Sequence, residues 1–472
     1  MELTYEGRLY AIRELARRAG VQESMFRSWR IECGSKWTTV YVEYGSDKCV
    51  RFASALSTDG MPPSNLRLEV VHCEWTYPPN DRLRDLIPDF VVPGFSVDTG
   101  RKAPLFRQVS SSCFECSQDL LLATLVTLSR FEETVVPDRD VHGRFESSRS
   151  LALRGGFLNR PIVDELGLGL EQVLCFLMPS WAPEPRRLRV KLSHDVDFVG
   201  IPFRLRSSIG HVIRRYNPSA AFRDLFAVVA NSNPTYLESV RRVVQPSLDR
   251  RLDSAVYWKA SRQGQFDSGY DPCHTLVRRM ISWLSERGVE CGVHPGYETF
   301  QSRELLSEEV GVLRSAIGQD QLGGRQHYLR WSPETWLDWE ACGLSYDSSV
   351  GFADHVGFRA GTCFPYRPWL LKENREADLL EIPLIVMDCT LLDYMNLSSE
   401  QSLEIVGECV ERCRAVGGVF TLLWHNSTLI EPAYKRLYLP ILDNLTGADT
   451  FNWKVNSGNP WQCDTTRCAS IS

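Results

Sequence analysis

A short segment of the sequence places three ionisable side chains directly after a predicted strand. Over residues 188–192, leucine and valine alternate with arginine and lysine, which is the period-two pattern of a half-buried strand. His194, Asp195 and Asp197 then follow within four residues. A strand would point Asp195 and Asp197 to the same side. Two convergent carboxylates can bind a cation or share a proton, whereas the alternative interpretation is a solvated turn.

Further histidines lie in short polar clusters after strand-like runs of the second half, namely His294, His327, His355 and His425. A single histidine of this kind is more often structural than functional. Their repetition at strand ends indicates a site, because catalytic groups of α/β proteins gather at the carboxyl ends of the strands. His294 is followed by a Pro-Gly turn signal, and imidazole there is a good ligand for a divalent metal.

Other polar residues could complete such a site. Glu298, four residues after His294, could add an oxygen ligand, although a surface carboxylate is the simpler interpretation. Arg325 could hold a catalytic carboxylate bidentately. Asp347 is either a turn-capping residue or a partner for a histidine. An apolar strand delivers His425, and a histidine presented in this way near a metal suits a general acid.

The pattern of predicted helices and strands changes at the segment Pro179–Pro185. This segment has three prolines in seven residues, which predicts a domain boundary. Before it, the sequence predicts helices over Leu9–Arg18, Ser117–Phe131 and Glu171–Met178, and strands over Trp37–Tyr44 and Leu66–Val71. After it, it predicts strands over Leu188–Leu192, Ala255–Lys259, Val289–Val293, Leu379–Val386 and Val419–Trp424. Helices are predicted over His274–Arg287, Arg303–Ile317, Pro333–Cys342, Glu400–Ala415 and Tyr434–Leu445. This alternation predicts a mainly parallel α/β domain, open or closed into a barrel.

The composition is that of an ordinary globular protein. Of 472 residues, 43% are hydrophobic and 24% charged, and the net charge of −6 gives no support for nucleic-acid binding. Neither a signal peptide nor a membrane span is recognisable, so we expect a cytoplasmic protein. The fifteen cysteines are then reduced thiols. Cys113 and Cys116 form a Cys-x-x-Cys pair, but no second pair follows that would make a zinc ribbon.

Taken in order, the clusters resemble the motifs of polysaccharide deacetylases, the carbohydrate esterase family four, which fold as an irregular (β/α) barrel. The matching segments are Leu192–Asp197, His294–Tyr297, Arg325–Arg330, Asp347–Thr362 and Leu423–Asn426. Two earlier stretches, Asp140–Arg144 and Gly156–Glu165, resemble a bacterial subgroup that carries a separate N-terminal domain. The resemblance covers roughly residues 120 to 430, and its motifs are specific when taken together.

The resemblance implies a role for each catalytic candidate. Asp195 would be the catalytic base, and Arg325 would orient it. The backbone around Tyr328 would help to hold the oxyanion. Asp347 would tune His425, the general acid that protonates the leaving amine. A divalent metal ion, most simply zinc but also cobalt, nickel or manganese, would polarise the amide carbonyl.

The metal ligands implied by the resemblance are Asp197 and His294. The family usually has a second histidine four residues after the first, and Glu298 holds that position here. Val196 also separates two aspartates that are usually adjacent. The third ligand is therefore Glu298 or His327, or else the metal is held loosely.

The sequence thus predicts an α/β protein with an N-terminal mixed α/β accessory domain (residues 1–185) and a polysaccharide deacetylase-like catalytic domain (residues 186–472) folded as an irregular barrel. The expected function is metal-dependent removal of an N-acyl group, acetyl or formyl, from a sugar in cell-surface polysaccharide biosynthesis. One alternative is a catalytically degenerate deacetylase fold that serves as a glycan-binding or scaffold protein. Another is a deacylase of a small nitrogenous metabolite. The expected partner is a sugar or a polysaccharide precursor.

Overall fold

The computed structural model of the chain describes residues 4–54, 69–94, 103–116, 118–199 and 236–451. It is an α/β structure with a parallel sheet in its second half. Within the described ranges, no helix is long and apolar enough to cross a membrane. The cytoplasmic location stays a prediction.

The first half combines seven helices and seven strands of the described residues. The helices are α1 (Tyr5–Arg18), α2 (Glu23–Phe26), α3 (Asp81–Leu86), α4 (Leu120–Leu128), α5 (Phe131–Val135), α6 (Leu151–Arg154) and α7 (Ile162–Leu177). The strands are β1 (Arg30–Cys33), β2 (Trp37–Tyr41), β3 (Cys49–Ala53), β4 (Glu69–Cys73), β5 (Phe90–Gly94), β6 (Arg107–Ser110) and β7 (Cys113–Cys116). One sheet has the order β1-β2-β3-β7-β6, and β4 and β5 form an antiparallel pair.

Two helix predictions in this half need correction. The helix predicted over Ser117–Phe131 is divided into α4 and α5 at Arg130, whose φ of 55° is left-handed. The N-cap of α4 is Asp119, which accepts a hydrogen bond from the backbone N–H of Leu122; residue 117 lies outside the described residues. The helix whose tail was predicted over Glu171–Met178 begins at residue 162. Its first turns contain Gly167, which weakened the pattern but lets the backbone of α1 approach closely.

The second half alternates strands and helices, as the sequence predicts. Its helices are α8 (Tyr236–Asp249), α9 (Thr275–Ser285), α10 (Arg303–Ile317), α11 (Pro333–Ala341), α12 (Ser399–Val416) and α13 (Pro432–Leu445). Its strands are β8 (Arg189–Asp195), β9 (Ser254–Trp258), β10 (Glu290–Val293), β11 (Tyr346–Asp347), β12 (Trp369–Leu370), β13 (Arg375–Glu376), β14 (Leu380–Glu381), β15 (Val386–Met387), β16 (Val419–Leu423) and β17 (Asp449–Thr450). The order β10-β9-β8-β16-β15 is parallel throughout, with β17 also pairing with β8.

The sheet continues beyond β10 through single bridges. Gly324 bridges Val293 on one side and Asp347 of β11 on the other, and β11 pairs in parallel with β14. The strand predicted over Leu379–Val386 is in fact two separate two-residue strands, β14 and β15. Pro383 lies between them, and because proline has no N–H to donate, it interrupts a ladder.

Buried polar contacts join the two halves of the chain. Arg18 of α1 donates hydrogen bonds to Asp164 of α7 (2.6 Å) and to Thr362 (3.0 Å). Arg359 donates to Glu133 of α5 at 2.6 Å. All five side chains are buried. The division of the chain at residue 185 remains a prediction.

Candidate active site

The candidate residues of the second half meet at one edge of the parallel sheet. Asp195 is the last residue of β8, and Lys259, His294 and His425 follow β9, β10 and β16 within one or two residues. Because these strands run parallel, their carboxyl ends lie at the same edge. The candidate residues that follow these strands therefore lie together at that edge.

Three side chains form a group that could hold a metal ion. Ligand atoms of Asp197, His294 and His327 lie within 4.8 Å of one another. Asp197 Oδ1 lies 3.4 Å from His294 Nε2 and 3.1 Å from His327 Nε2. The Asp197 and His294 atoms are buried and make no hydrogen bond. Buried polar atoms without hydrogen bonds are costly, so this donor set fits a cation bound between the three side chains.

The environment of His294 favours the form that binds a metal. Its Nδ1 lies 2.7 Å from the carbonyl oxygen of Arg325, to which it must donate a proton, and this leaves Nε2 with a lone pair facing Asp197. Burial lowers the pKa of His294, which favours the neutral imidazole. Burial alone would raise the pKa of Asp197, but neighbouring His327, His294 and Lys259 hold it well below its ordinary value. Both groups are thus in their ligating forms at neutral pH.

Two residues that the sequence analysis did not propose hold His327 in place. Asp267 Oδ1 lies 2.9 Å from His327 Nδ1 and 2.5 Å from Lys259 Nζ. Lys259 Nζ lies 3.1 Å from His327 Nδ1 and 3.7 Å from Asp197 Oδ1. Both Lys259 and Asp267 are buried. The position of Lys259 at the end of a predicted strand could have indicated this residue as a site candidate. Asp267 lies in a loop whose sequence has no periodicity and offers no such indication.

Asp195 is fixed by a buried arginine. Arg325 Nη1 donates to Asp195 Oδ1 at 3.0 Å, and its Nε donates to the carbonyl oxygen of Ser348 at 2.8 Å. The other carboxylate oxygen of Asp195 lies 3.7 Å from His294 Nδ1. Arg325 therefore sets the orientation of this carboxylate. The carboxylate lies beside the candidate ligands Asp197, His294 and His327, here called the metal-ligand group.

The structure corrects the partner of His425. Asp388, and not Asp347, contacts this histidine: the Nδ1 of His425 lies 2.7 Å from Asp388 Oδ1. Asp388 also accepts the backbone N–H of His425 at 2.8 Å and the hydroxyl hydrogen of Thr428 at 2.5 Å. Burial would lower the pKa of His425, but Asp388 raises it well above its ordinary value. The signal for Asp388 was its position directly after β15 and two residues after the predicted strand Leu379–Val386.

Asp347 lies instead in the sheet, in register with Glu381 of the neighbouring strand. Both carboxyl groups are fully buried. Asp347 Oδ1 accepts the backbone N–H of Ser349 at 2.9 Å, whereas Oδ2 makes no hydrogen bond. Burial raises the pKa of Asp347 to about 7, and burial together with Asp347 raises that of Glu381 well above its ordinary value. Asp347 is therefore a buried acid of the sheet and has no contact with His425.

We expect the Asp347→Asn variant to be more stable than the wild type above neutral pH. Because the pKa of Asp347 is higher in the folded chain than in the unfolded one, its contribution to stability falls as pH rises from about 4 through about 7. The free energy of unfolding of the variant should exceed that of the wild type by about 4 kcal/mol at most at pH 8, and the two should be equal at pH 4. Thermal unfolding across this range measures it, with exposed Asp85→Asn as control. An unchanged pH dependence would contradict the assignment.

Glu298, the sequence-based alternative for the third ligand, lies outside the metal-ligand group. It is exposed in a short 3-10 turn, Tyr297–Thr299, whereas His327 is buried and takes part in the group. The turn does not become the regular helix that would be needed to bring residue 298 back towards His294. The structure therefore brings His327, and not Glu298, to Asp197 and His294.

The other two histidines of the clusters do not join the site. His194 points its Nδ1 to the carbonyl oxygen of Trp424 at 2.9 Å, and burial lowers its pKa to about 4. His355 contacts the carbonyl oxygen of Val356 at 2.7 Å. Neither residue lines the cavity into which the candidate residues open. Both have the structural role that is usual for a histidine.

The candidate residues open into a cavity of about 870 Å³. Its lining includes Asp195, Asp197, His294, His327, Tyr328, Cys389 and His425. Tyr328 has a left-handed backbone with a φ of 62°, and the next residue, Leu329, is also left-handed at 52°. Such conformations are costly away from glycine and cluster at functional sites.

The first half of the chain supplies one wall of this cavity. Residues 140–146, here called the wall loop, include Asp140, His142 and Arg144 among the lining side chains. Arg144 donates to the carbonyl oxygen of Tyr328 at 3.2 Å and to Asp140 at 2.7 Å. His142 Nδ1 lies 3.2 Å from the hydroxyl of Tyr297. The wall loop thus contacts the segments that follow both metal-ligand histidines.

One protein-family model matches part of the chain. A family described as being of unknown function (DUF7033) matches residues 39–179. This range contains β3 to β7, α3 to α7 and the wall loop, but none of the three metal-ligand residues. No curated protein matches the chain.

Several solved structures are similar to the chain. A protein of Mycobacterium smegmatis assigned as a polysaccharide deacetylase is 14% identical with a TM-score of 0.40, over 59% of this chain and 91% of that chain. A probable polysaccharide deacetylase of Pseudomonas aeruginosa PAO1 is 16% identical with a TM-score of 0.38, over 58% and 90%. PuuE allantoinase is 14% identical with a TM-score of 0.41, over 60% and 92%. Two of these proteins carry the name of the family that the sequence motifs resemble. At such low identities and TM-scores, the chemistry has to be argued from the residues of the site itself.

Proposed function

We propose that this protein is a metal-dependent hydrolase that removes an N-acyl group, acetyl or formyl, from a sugar. The observation that carries the proposal is a single cavity lined by Asp195 and His425, each fixed by a buried partner, around one metal-ligand group. In this proposal the parallel sheet belongs to an irregular barrel, with residues 1–185 as an accessory domain and 186–472 as the catalytic domain. The role in cell-surface polysaccharide assembly follows from the motif resemblance alone.

The donor set of Asp197, His294 and His327 suits a catalytic metal. Two imidazoles and one carboxylate are ligands that zinc takes in hydrolases, and cobalt, nickel and manganese accept the same atoms. A divalent ion bound there would polarise the amide carbonyl and lower the pKa of a water molecule. Asp267 and Lys259 would keep the His327 ring in position, because both lie within hydrogen-bonding distance of it.

Asp195 is placed to take the proton of the attacking water. Its carboxylate borders the cavity beside His294, and Arg325 holds one oxygen so that the other faces the metal-ligand group. The oxyanion that forms on the acyl carbon needs N–H donors or positive charge. The strained backbone at Tyr328 is the segment of the cavity nearest in sequence to His327, and we assign the oxyanion contact to it.

His425 is placed to give a proton to the leaving amine. Asp388 accepts the proton on Nδ1, and this leaves Nε2 directed towards Asp197 Oδ2, which is 3.9 Å away. Because Asp388 raises the pKa of His425 well above its ordinary value, the imidazole carries its proton at neutral pH. A charged imidazole at this position can protonate the nitrogen as the carbon–nitrogen bond breaks.

The Asp388→Asn variant should lose activity at a lower pH than the wild type. Without the carboxylate, the pKa of His425 falls, so the acid deprotonates earlier as pH rises. We expect the alkaline limb of the kcat profile to move to lower pH. The profile of Asp393→Asn, another carboxyl residue that lines the cavity, serves as the control. An unmoved alkaline limb in Asp388→Asn would exclude His425 as the acid.

The proposal is tested by release of acetate or formate from N-acyl sugars. Metal-free protein is loaded with zinc, cobalt, nickel or manganese and incubated with N-acetyl and N-formyl amino sugars, and with cyclic amides in parallel. Turnover of the sugars that requires metal is the expected result. Turnover of the cyclic amides alone would favour the small-metabolite deacylase. Metal binding without any turnover, together with unaltered cellular function of Asp195→Asn, would favour the degenerate fold.

A further inference from the structure

A second group of potential ligands lies behind His425, on the side away from Asp197. One ligand atom each from Asp388, Cys389 and His425 lies within 4.8 Å of the others. Cys389 Sγ is 3.9 Å from His425 Nδ1, and Asp388 Oδ1 is 2.7 Å from the same nitrogen. The opposite ring nitrogen, Nε2, faces Asp197. Its two ring nitrogens thus face different groups, with Asp197 on one side and Asp388 and Cys389 on the other.

We propose that Asp388, Cys389 and His425 form a second, inhibitory site for a thiophilic divalent cation such as zinc. Sulfur, imidazole nitrogen and carboxylate oxygen are the three donor types of protein zinc sites. At zinc bond lengths, tetrahedral angles place such donors about 3.4 to 3.6 Å apart. The sulfur–nitrogen separation would have to close slightly, and the nitrogen–oxygen separation would have to open.

The carboxylate of this site is held in place before any ion arrives. Asp388 accepts the backbone N–H groups of Cys389 and His425, both at 2.8 Å, and the hydroxyl hydrogen of Thr428 at 2.5 Å. Cys389 and His425 line the cavity, so an ion can enter from there and a water molecule can supply a fourth ligand. Hard cations such as magnesium disfavour sulfur, which restricts the site to softer ions.

Binding replaces protons and so changes the state of His425. The thiol of Cys389 gives its proton to solvent when the sulfur binds the ion, and the proton on Nδ1 of His425 is likewise lost to solvent. The imidazole then keeps a proton only on Nε2, and Asp388 no longer accepts from it. Loss of that last proton would leave an imidazolate, so the metal-bound ring is a much weaker acid than the imidazolium and no longer serves as the general acid. This inhibitory consequence rests on the proposed function, whereas the binding itself does not.

Cobalt titration of the metal-free full chain tests the binding without any substrate. In the wild type, a near-ultraviolet thiolate-to-cobalt absorption should grow after about one equivalent has bound at Asp197, His294 and His327. The Cys389→Ser variant should bind the first equivalent and lack this absorption, which also shows that it folds. Cys273→Ser, which removes another half-buried thiol, should retain the absorption. Absence of the band from the wild type, or its persistence in Cys389→Ser, would overturn the site.

Excess zinc then tests the inhibition. Each protein, loaded with one equivalent of metal, is assayed against rising zinc, and each rate is compared with that protein's own rate before the addition. Half-inhibition of Cys389→Ser should need at least about tenfold more zinc than that of the wild type. Equal sensitivity of the two proteins would overturn the inhibitory role. A protein without turnover would contradict the proposed function, while the cobalt absorption would still decide the second site.

Discussion

The Asp195→Asn variant is expected to lose hydrolysis almost entirely while it keeps its fold and its metal. Asparagine has the size of aspartate and can still accept the hydrogen bond from Arg325, but it cannot take a proton from water. Loss of a positioned general base lowers kcat by about 10²- to 10⁴-fold. Because Asp195 is not one of the three metal-ligand residues, elemental analysis should find as much bound metal as in the wild type.

A neighbouring carboxylate provides the control for this result. Asp354 also lines the cavity, but it accepts hydrogen bonds from Ser147 and lies outside the metal-ligand group. Asp354→Asn should keep kcat within about tenfold of the wild type. If Asp195→Asn retained wild-type turnover, or if it lost its metal together with its activity, Asp195 would not be the base.

The His327→Ala variant is expected to lose most of its affinity for the metal. Removing one of three protein ligands leaves Asp197 and His294 alone, and Asp267 and Lys259 would then lack the imidazole that they contact. We expect the dissociation constant for zinc to rise by about 100-fold or more. Competition with a chromophoric chelator measures this constant directly and does not depend on the substrate.

Glu298→Ala is the matched control for His327→Ala, because the sequence left these two residues as alternatives. Glu298 is exposed on its 3-10 turn, and its removal should leave the zinc dissociation constant unchanged. Weaker binding in Glu298→Ala together with wild-type binding in His327→Ala would reverse the assignment. Thermal unfolding of both variants separates lost ligation from lost folding.

The sequence predicted most elements of the second half because their signals are local. Arg303–Ile317 was predicted to the residue, and the start at Ser332–Pro333 and the stop near Gly343 fixed another helix within a residue. Apolar runs also located β8, β9, β10 and β16. The predicted edge of the sheet followed from these strands, since parallel strands have their carboxyl ends together.

The position of His327, the candidate third ligand, depends on contacts that no local pattern encodes. His327 reaches the group because Gly324 bridges Val293 and Asp347, so that the following loop passes over the end of β10. An added Cβ at Gly324 would lie 1.8 Å from the carbonyl oxygen of Val293, which explains why glycine is needed there. Spacing along the chain left Glu298 and His327 as alternatives, and the bridge at Gly324 brings His327 to Asp197 and His294.

Asp388 was missed although its position carried a signal. The strand predicted over Leu379–Val386 ends two residues before it, and β15 ends at Met387 directly before it. The motif resemblance instead gave Asp347 as the residue that tunes His425. Its side chain in fact lies within the sheet beside Glu381, and its burial could not be read from a polar segment.

The contacts between the halves limit how chains of this kind can exchange parts by recombination. A crossover near residue 185, where the prolines mark the clearest break in the sequence, would bring Arg18 and Glu133 from one parent to Thr362 and Arg359 from the other. It would also pair the wall loop of one parent with the metal-ligand loops of the other. Chimaeras joined there should fold less often than those joined within exposed loops. Changes in substrate preference would then have to arise in both halves together.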